Sequence, residues 1–319
     1  MYKGEPVLIT GCSSGIGRKI VEHFADNDIL IYATARKQTD IENLNKLKNV
    51  RAFKLDVTKS QEIQQLYEKV EKEGNGLYGL INNAGIVDIW PILATTEEIL
   101  HKIFDINVYG PHRVTRALLP FIIESKGRIV NISSVSGFQT AFGGGAYSMS
   151  KYAIEAFSNA LMSELKNHGI QVSVIEPTSF KSKILDKALP TLNGRKQEAI
   201  KKNLYSNDKI YKIFKREIEA LDLDELHQQW ARLPSPEKVV EACWDALFAK
   251  NSKKRYFVTV DPKVFKQGIK SILNIVGQIY KNNEHGITKG EIHDLLESVL
   301  NKEDEYIRTT IDWEKLKDD

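Results

Sequence analysis

The sequence predicts an α/β protein, a doubly wound seven-stranded parallel sheet with a helical C-terminal extension. Three observations carry that expectation. Short apolar runs recur, and the first, Pro6-Val7-Leu8-Ile9, is continuous rather than alternating, as a strand buried on both faces requires. Segments of helical periodicity separate the runs, which implies parallel pairing through right-handed crossovers. A glycine-rich turn, TGCSSGIG at 10–17, joins the first run to the first helix.

The strand-like segments are 6–10, 29–34, 51–57, 77–82, 127–133, 170–176 and 255–260. After Gly17, Ile20, Val21 and Phe24 recur at helical spacing as far as Asp26-Asn27-Asp28. A second helix spans about 60–73, and a long one at 97–123 ends near Ser125-Lys126-Gly127. Another, at 147–167, stops at His168-Gly169. Residues 178–235 break the alternation before the last strand, and 261–319 follow it.

The 319 residues are enough for one large domain plus an appendage, and 42% hydrophobic content argues against disorder. A net charge of +3 is too small to imply nucleic acid. The early apolar run is too short for a signal peptide, and no apolar stretch approaches the roughly 18 residues of a membrane span. Cys12 and Cys243 make no disulfide framework, and read as free thiols of a cytoplasmic protein.

A strand, a glycine-rich turn and a helix N-terminus together form a phosphate cradle. Glycines let the backbone approach a pyrophosphate, and the unpaired N–H groups of the first helical turn face its charge. Here the spacing is Gly-x-x-x-Gly-x-Gly (Gly11, Gly15, Gly17). Further on, Ser134 precedes Tyr147 by thirteen residues (147 − 134 = 13), and Lys151 follows one helical turn later. Two other Tyr-x-x-x-Lys matches, Tyr205/Lys209 and Tyr211/Lys215, lack the serine and the strand and read as solvated helix faces. Asn82-Asn83-Ala84-Gly85 follows the fourth strand, Asn107 lies in the 97–123 helix, and Asp56 sits in Leu55-Asp56-Val57.

These motifs resemble the short-chain dehydrogenase/reductases over about residues 5–260. GCSSGIG and the Ala-Thr-Ala-Arg strand end are most similar to the branch of 17β-hydroxysteroid and retinol dehydrogenases and their bacterial relatives. The resemblance implies a Rossmann-fold catalytic domain at 1–260 in which 178–235 covers the substrate. It implies a catalytic set of Asn107, Ser134, Tyr147 and Lys151, without a metal. Gly11, Ser13, Ser14, Gly15, Ile16, Gly17 and Arg18 would hold a dinucleotide together with Val57, Asn83, Ala84, Gly85, Tyr147 and Lys151. Asp56 would contact the adenine. Pro177, Thr178, Phe180 and Ser182 would lie by the nicotinamide, although Thr178 stands where the family has glycine.

A tyrosine hydroxyl can protonate a developing alkoxide, and a nearby cation would make it a better base for the reverse reaction. Tyr147 and Lys151 project from one helix face. Ser134 would hold the substrate oxygen, and Asn107 a water leading from the lysine to solvent. Cofactor choice is read at the second strand end. NAD-preferring proteins carry an acid there, whereas this chain has Ala35-Arg36-Lys37 and no acid between Ile29 and Thr39. Arg36 and Lys37 favour NADP(H) over NAD(H), because a guanidinium fork suits a 2′-phosphate.

The leading function is NADP(H)-dependent interconversion of a carbonyl and an alcohol. Phe138, Phe142, Phe180, Ile184, Leu185 and Leu189 point to a lipophilic small-molecule substrate, with Ser134, Phe142, Tyr147 and Phe180 as its candidate contacts. Two other classes stay open: a cofactor-sensing module, and a reductase acting on a carrier-bound acyl chain within an assembly. The family resemblance also implies a homo-oligomer, dimer or tetramer, joined through the helices at 97–123 and 147–167. In the tail, 263–281 reads as a basic amphipathic helix with Lys263, Lys266, Lys270 and Lys281 and no acid. Packing on protein is favoured over contact with a membrane surface. Thr288-x-x-Glu291 then has capping-box form ahead of an acidic helix able to pair with the basic one.

Overall fold

The computed structural model describes residues 4–281 and 288–301. Seven strands form one parallel sheet: β1 Val7–Ile9, β2 Ile31–Ala35, β3 Val50–Lys54, β4 Gly79–Asn82, β5 Arg128–Ile132, β6 Gln171–Pro177 and β7 Arg255–Val258. Their spatial order is β3-β2-β1-β4-β5-β6-β7. The chain therefore reverses its direction of travel between β1 and β4. Loops leaving those two strands diverge at their C-terminal ends and open a crevice, which is where ligands bind in such sheets.

The continuous apolar strands are explained by burial on both faces. Along β1, Val7 and Ile9 point to one layer and Leu8 to the other. On the first face, helix α1 (Gly15–Asp26) and helix α12 (Glu237–Phe248) cover Ile31, Ile81 and Val130 through Ile20, Phe24, Val239 and Leu247. On the second, α3 (Ser60–Glu73), α5 (Gly110–Glu124) and α6 (Gly145–Leu165) cover Leu80, Ile129 and Val172 through Leu66, Leu118 and Met162. Burial of each such side chain stabilises the fold by roughly 1.5–3 kcal/mol.

The expected 97–123 helix is not one regular α-helix. It is α4 (Glu97–Phe104), a π-helical turn at Asp105–Tyr109 and then α5. A short α2 (Gln38–Leu44) follows β2. Between β6 and α12 lie five helices: α7 (Lys183–Lys201), α8 (Leu204–Asn207), α9 (Lys209–Ile213), α10 (Lys215–Glu219) and α11 (Leu223–Ala231). They carry a separate small core of Trp90, Leu192, Ala199, Tyr205 and Ile218.

The chain divides into two compact units, one ending at Ile269 and the other beginning at Lys270. α13 (Pro262–Lys281) starts in the first unit, where Phe265 packs edge-on against Phe257 with ring centres 5.0 Å apart. In the second unit, Leu273, Val276 and Tyr280 of α13 face Lys289 and Ile292 of α14 (Lys289–Asn301) around a cavity of about 210 Å³. The capping box forms reciprocally: Thr288 N–H donates to Glu291 Oε2 at 2.7 Å, and Glu291 N–H donates to Thr288 Oγ1 at 3.2 Å. Residues 282–287 and 302–319 of the predicted extension lie outside the described residues.

Candidate active site

The glycine turn is shaped by close backbone approach. Gly11 and Gly15 have φ of +73° and +62°, which disfavours any residue with a Cβ. A Cβ on Gly11 would lie 2.8 Å from Ala84 Cα, and one on Gly17 would lie 2.4 Å from Asn83 Nδ2. Asn83 and Ala84, after β4, are therefore pressed against the loop. Both donate backbone N–H to Thr10 Oγ1 at 3.0 Å, and Asn83 Nδ2 donates to Thr10 O at 2.8 Å. The Asn83 amide thus braces the turn. Ser14 N-caps α1 without a side-chain capping bond, and the first turn holds no acid. Its N–H groups and positive dipole end are left for an anion, so the cradle fits a dinucleotide pyrophosphate.

The second cluster lies along β5, α6 and the π turn. Ser134, just past β5, accepts from Ser136 N–H at 3.1 Å and donates to Pro177 O at 3.4 Å. Tyr147 is half-buried, and Ser134 hydrogen-bonds its hydroxyl. Lys151 is buried, donates from Nζ to Ile132 O at 2.8 Å, and sits 5.5 Å from the Tyr147 ring centre. Asn107 is carried by the π turn. Its Nδ2 donates to Ile86 O at 2.9 Å and to Ser150 Oγ at 3.0 Å, while Oδ1 accepts from Ile86 N–H at 2.9 Å. Single π turns are common at functional sites, because one extra residue re-aims a side chain without ending the helix.

Comparison with known families decides the membership of the chain. The short chain dehydrogenase family model matches residues 5–193. The chain belongs to this family. The 3-amino-tetrahydro-pyrrolizinone reductase of Xenorhabdus hominickii is 38% identical over 207 residues, 64% of this chain and 70% of that protein. Human retinol dehydrogenase 5 is 38% identical over 184 residues, 56% of this chain and 57% of that protein. The chain thus spans little more than half the length of some relatives it matches. A solved closed form of serine dehydrogenase complexed with NADP+ superposes with a TM-score of 0.63 at 25% identity, covering 79% of this chain and 93% of the other.

Electrostatics in this short-chain dehydrogenase differ from the sequence expectation. Burial pushes the Tyr147 phenol up to about 12, against which the Ser134 hydrogen bond works. Lys151 does not draw it down in the free protein: its ammonium is turned to Ile132 O. Burial brings Lys151 itself down to about 8, and the Glu155 carboxylate opposes that fall. At neutral pH the tyrosine is therefore protonated beside a mainly charged lysine.

Glu155 belongs to a charge network the sequence did not announce, in which two buried carboxylates share an exposed arginine. Arg255 of β7 bridges Glu155 of α6 and Glu176 of β6, and donates through Nη2 to Asn159 Oδ1 at 2.8 Å. Burial first, and Glu155 second, raise the Glu176 carboxyl to about 7, while Arg255 holds it down.

The remaining predicted residues are placed as follows. Arg36 and Lys37 are exposed beyond β2. Arg18 pairs along α1 with Glu22 at 2.8 Å. Asp56 accepts from Thr58 N–H at 3.0 Å and from its hydroxyl at 2.8 Å. Burial would raise its carboxyl, but those bonds and the Arg36 charge outweigh it and hold it low. Ile16 packs on the core, Val57 is buried, and Gly85 faces Asn107. Ser13 is half-buried in the turn. Thr178 takes the glycine position without left-handed backbone: its N–H continues the sheet to Val258 O at 2.9 Å. Ser182 caps α7 by accepting from Ile184 N–H at 3.3 Å. Phe180, a candidate nicotinamide and substrate contact, is instead a core residue packed with Cys12, Val239 and Val258. Phe142 is 59% exposed and lies near Phe214. Cys12 is fully buried, and that burial lifts its thiol to about 12, which leaves it inert.

Proposed function

We propose that the protein is an NADP(H)-dependent oxidoreductase that interconverts a small-molecule carbonyl and a primary or secondary alcohol. The observation that carries this is the convergence of Ser134, Tyr147, Lys151 and Asn107 beside an open phosphate cradle. When bound, the nicotinamide supplies or takes the hydride at the substrate carbon. Ser134 holds the substrate oxygen against the Tyr147 hydroxyl, which donates the proton the developing alkoxide needs. Lys151 stabilises the resulting phenolate, and Asn107 supports a water path from the lysine to solvent. The phenol, raised to about 12, suits the acid role in reduction.

The NADP(H) reading rests on Arg36, Lys37 and the missing acid at the β2 end, and a solved relative carries NADP+. Replacing Arg36 with Asp is expected to turn a preference for NADPH over NADH into one for NADH, a change of tenfold or more in kcat/KM. An unchanged ratio overturns the assignment. In the domain reading, 1–260 form the catalytic domain, 178–235 cover a lipophilic substrate, and 261–319 are an appended extension. Exposed Tyr109, Met149 and Tyr152 on the helices after β4 and β5 support a homo-oligomer joined there.

The test is NADPH consumption over steroid, retinoid, aliphatic and β-ketoacyl thioester carbonyls. Turnover on one class names the substrate. NADPH binding without turnover on any class favours the sensing module. A pH profile adds a second check. The free enzyme needs both Tyr147 and Lys151 protonated, so kcat/KM for reduction should fall as pH rises through about 8, the Lys151 value. Glu155→Gln removes a charge that raises Lys151, so this limb should move to lower pH. A limb that stays in place in the variant separates it from Lys151.

A further inference from the structure

A lysine from the segment over the site reaches the phosphate cradle. Lys187 lies on α7, one helical turn after Lys183, so both ammonium groups project from one face. Its Nζ donates to Ser14 Oγ at 3.1 Å, across 173 residues of chain. Ser14 is the α1 N-cap, and its oxygen makes no capping bond. A neutral hydroxyl is a weak endpoint for an ammonium, which binds a phosphate oxygen more strongly.

The local field has the same sign. Lost solvent and the charges of Arg36, Lys183 and Lys37 all disfavour the Lys187 cation, and Asp40 is the acid that supports it. Cations from two elements far apart in sequence, the β2 end and α7, thus converge on the lip of the cradle. No acid stands in the first turn of α1 to neutralise them. A dianion relieves that repulsion, whereas a ribose hydroxyl does not.

We propose that Lys187 is a cofactor-phosphate clamp carried by the α7 segment, exchanging Ser14 for the 2′-phosphate of NADP(H) beside Arg36. Binding of that phosphate ties α7 to the glycine turn and so couples cofactor identity to the cover over the substrate. The inference rests on the NADP(H) reading and adds a residue that no β2-end rule identifies.

The test is calorimetric titration of the full chain with 2′,5′-ADP and with 5′-AMP, which differ in the 2′-phosphate. Wild type is expected to prefer 2′,5′-ADP. Lys187→Gln should weaken 2′,5′-ADP by roughly 10- to 100-fold, with 5′-AMP unchanged. Lys187→Arg should restore most of the loss. Lys187 is exposed, so the variant is expected to fold, and an unchanged melting temperature verifies this. Wild-type preference retained in Lys187→Gln overturns the clamp while leaving the NADP(H) reading in place. Equal weakening of both probes also overturns it, by assigning Lys187 to the 5′ side. If wild type shows no preference for 2′,5′-ADP, the NADP(H) reading itself fails.

Discussion

Replacing Tyr147 with Phe is expected to lower turnover by about 10²- to 10⁴-fold while leaving NADPH binding intact, as measured by NADPH oxidation and fluorescence titration. The substitution removes one oxygen and keeps the ring, so Lys151 keeps its place 5.5 Å from the ring centre and its bond to Ile132 O. What disappears is the acidic proton beside Ser134. No neighbouring hydroxyl replaces it, because Ser134 is engaged with Pro177 and Ser136, and Ser150 with Tyr147 O and Asn107. Turnover within tenfold of wild type would remove Tyr147 from the proton-donor role.

The largest stability effect is expected at Arg255. Arg255→Met leaves Glu155 and Glu176 buried together, at 8% and 4% exposure, without their shared cation. Arg255 is itself 42% exposed and Glu176 can take up a proton once it is gone, so the loss is expected to cost about 1–3 kcal/mol, the range for leaving a buried polar group without its partner. For a chain of this size the melting temperature should drop by roughly 2–9 °C. The pH dependence has a definite sign. Glu176 titrates near 7 in the fold, above its ordinary value of 4.5, so the folded state binds its proton more tightly than the unfolded state. Its contribution to stability is therefore present below that ordinary value and lost as pH rises through about 7. Without Arg255 the carboxyl moves higher still, and the deficit of the variant should be larger at pH 8 than at pH 5. Thermal melts at both values check this; a deficit independent of pH would show that the two carboxylates do not set it.

Much of the site was legible in the sequence because its chemistry is local. A phosphate cradle needs glycines at a tight turn between strand and helix, and Gly11, Gly15 and Gly17 announce it whatever lies elsewhere. Tyr147 and Lys151 must share a helix face, which four-residue spacing guarantees. The strands were legible as well, since continuous apolar runs such as Val7-Leu8-Ile9 have few alternatives to burial on both faces. The π turn at Asp105–Tyr109 was not legible: widening a helical turn by one residue leaves the apolar spacing of 97–123 nearly unchanged. The burial of Phe180 was not legible either. An aromatic after β6 can face a pocket or the core, and only the path through Thr178, held to Val258, turns it inward.

The sequence by itself thus determined the strands and helices, the cradle and the spacing of Tyr147 and Lys151, because each depends on neighbours within a few positions, and the alternation of those elements implied the parallel pairing. Only the tertiary structure decided which partners the charged side chains meet. Lys187 reaches Ser14, and Arg255 joins Glu155 to Glu176, across chain separations of 173, 100 and 79 residues. Single charges carry no periodic signal. A charge leaves water only where a partner repays its lost hydration, and that partner is chosen by the packing of elements distant in sequence.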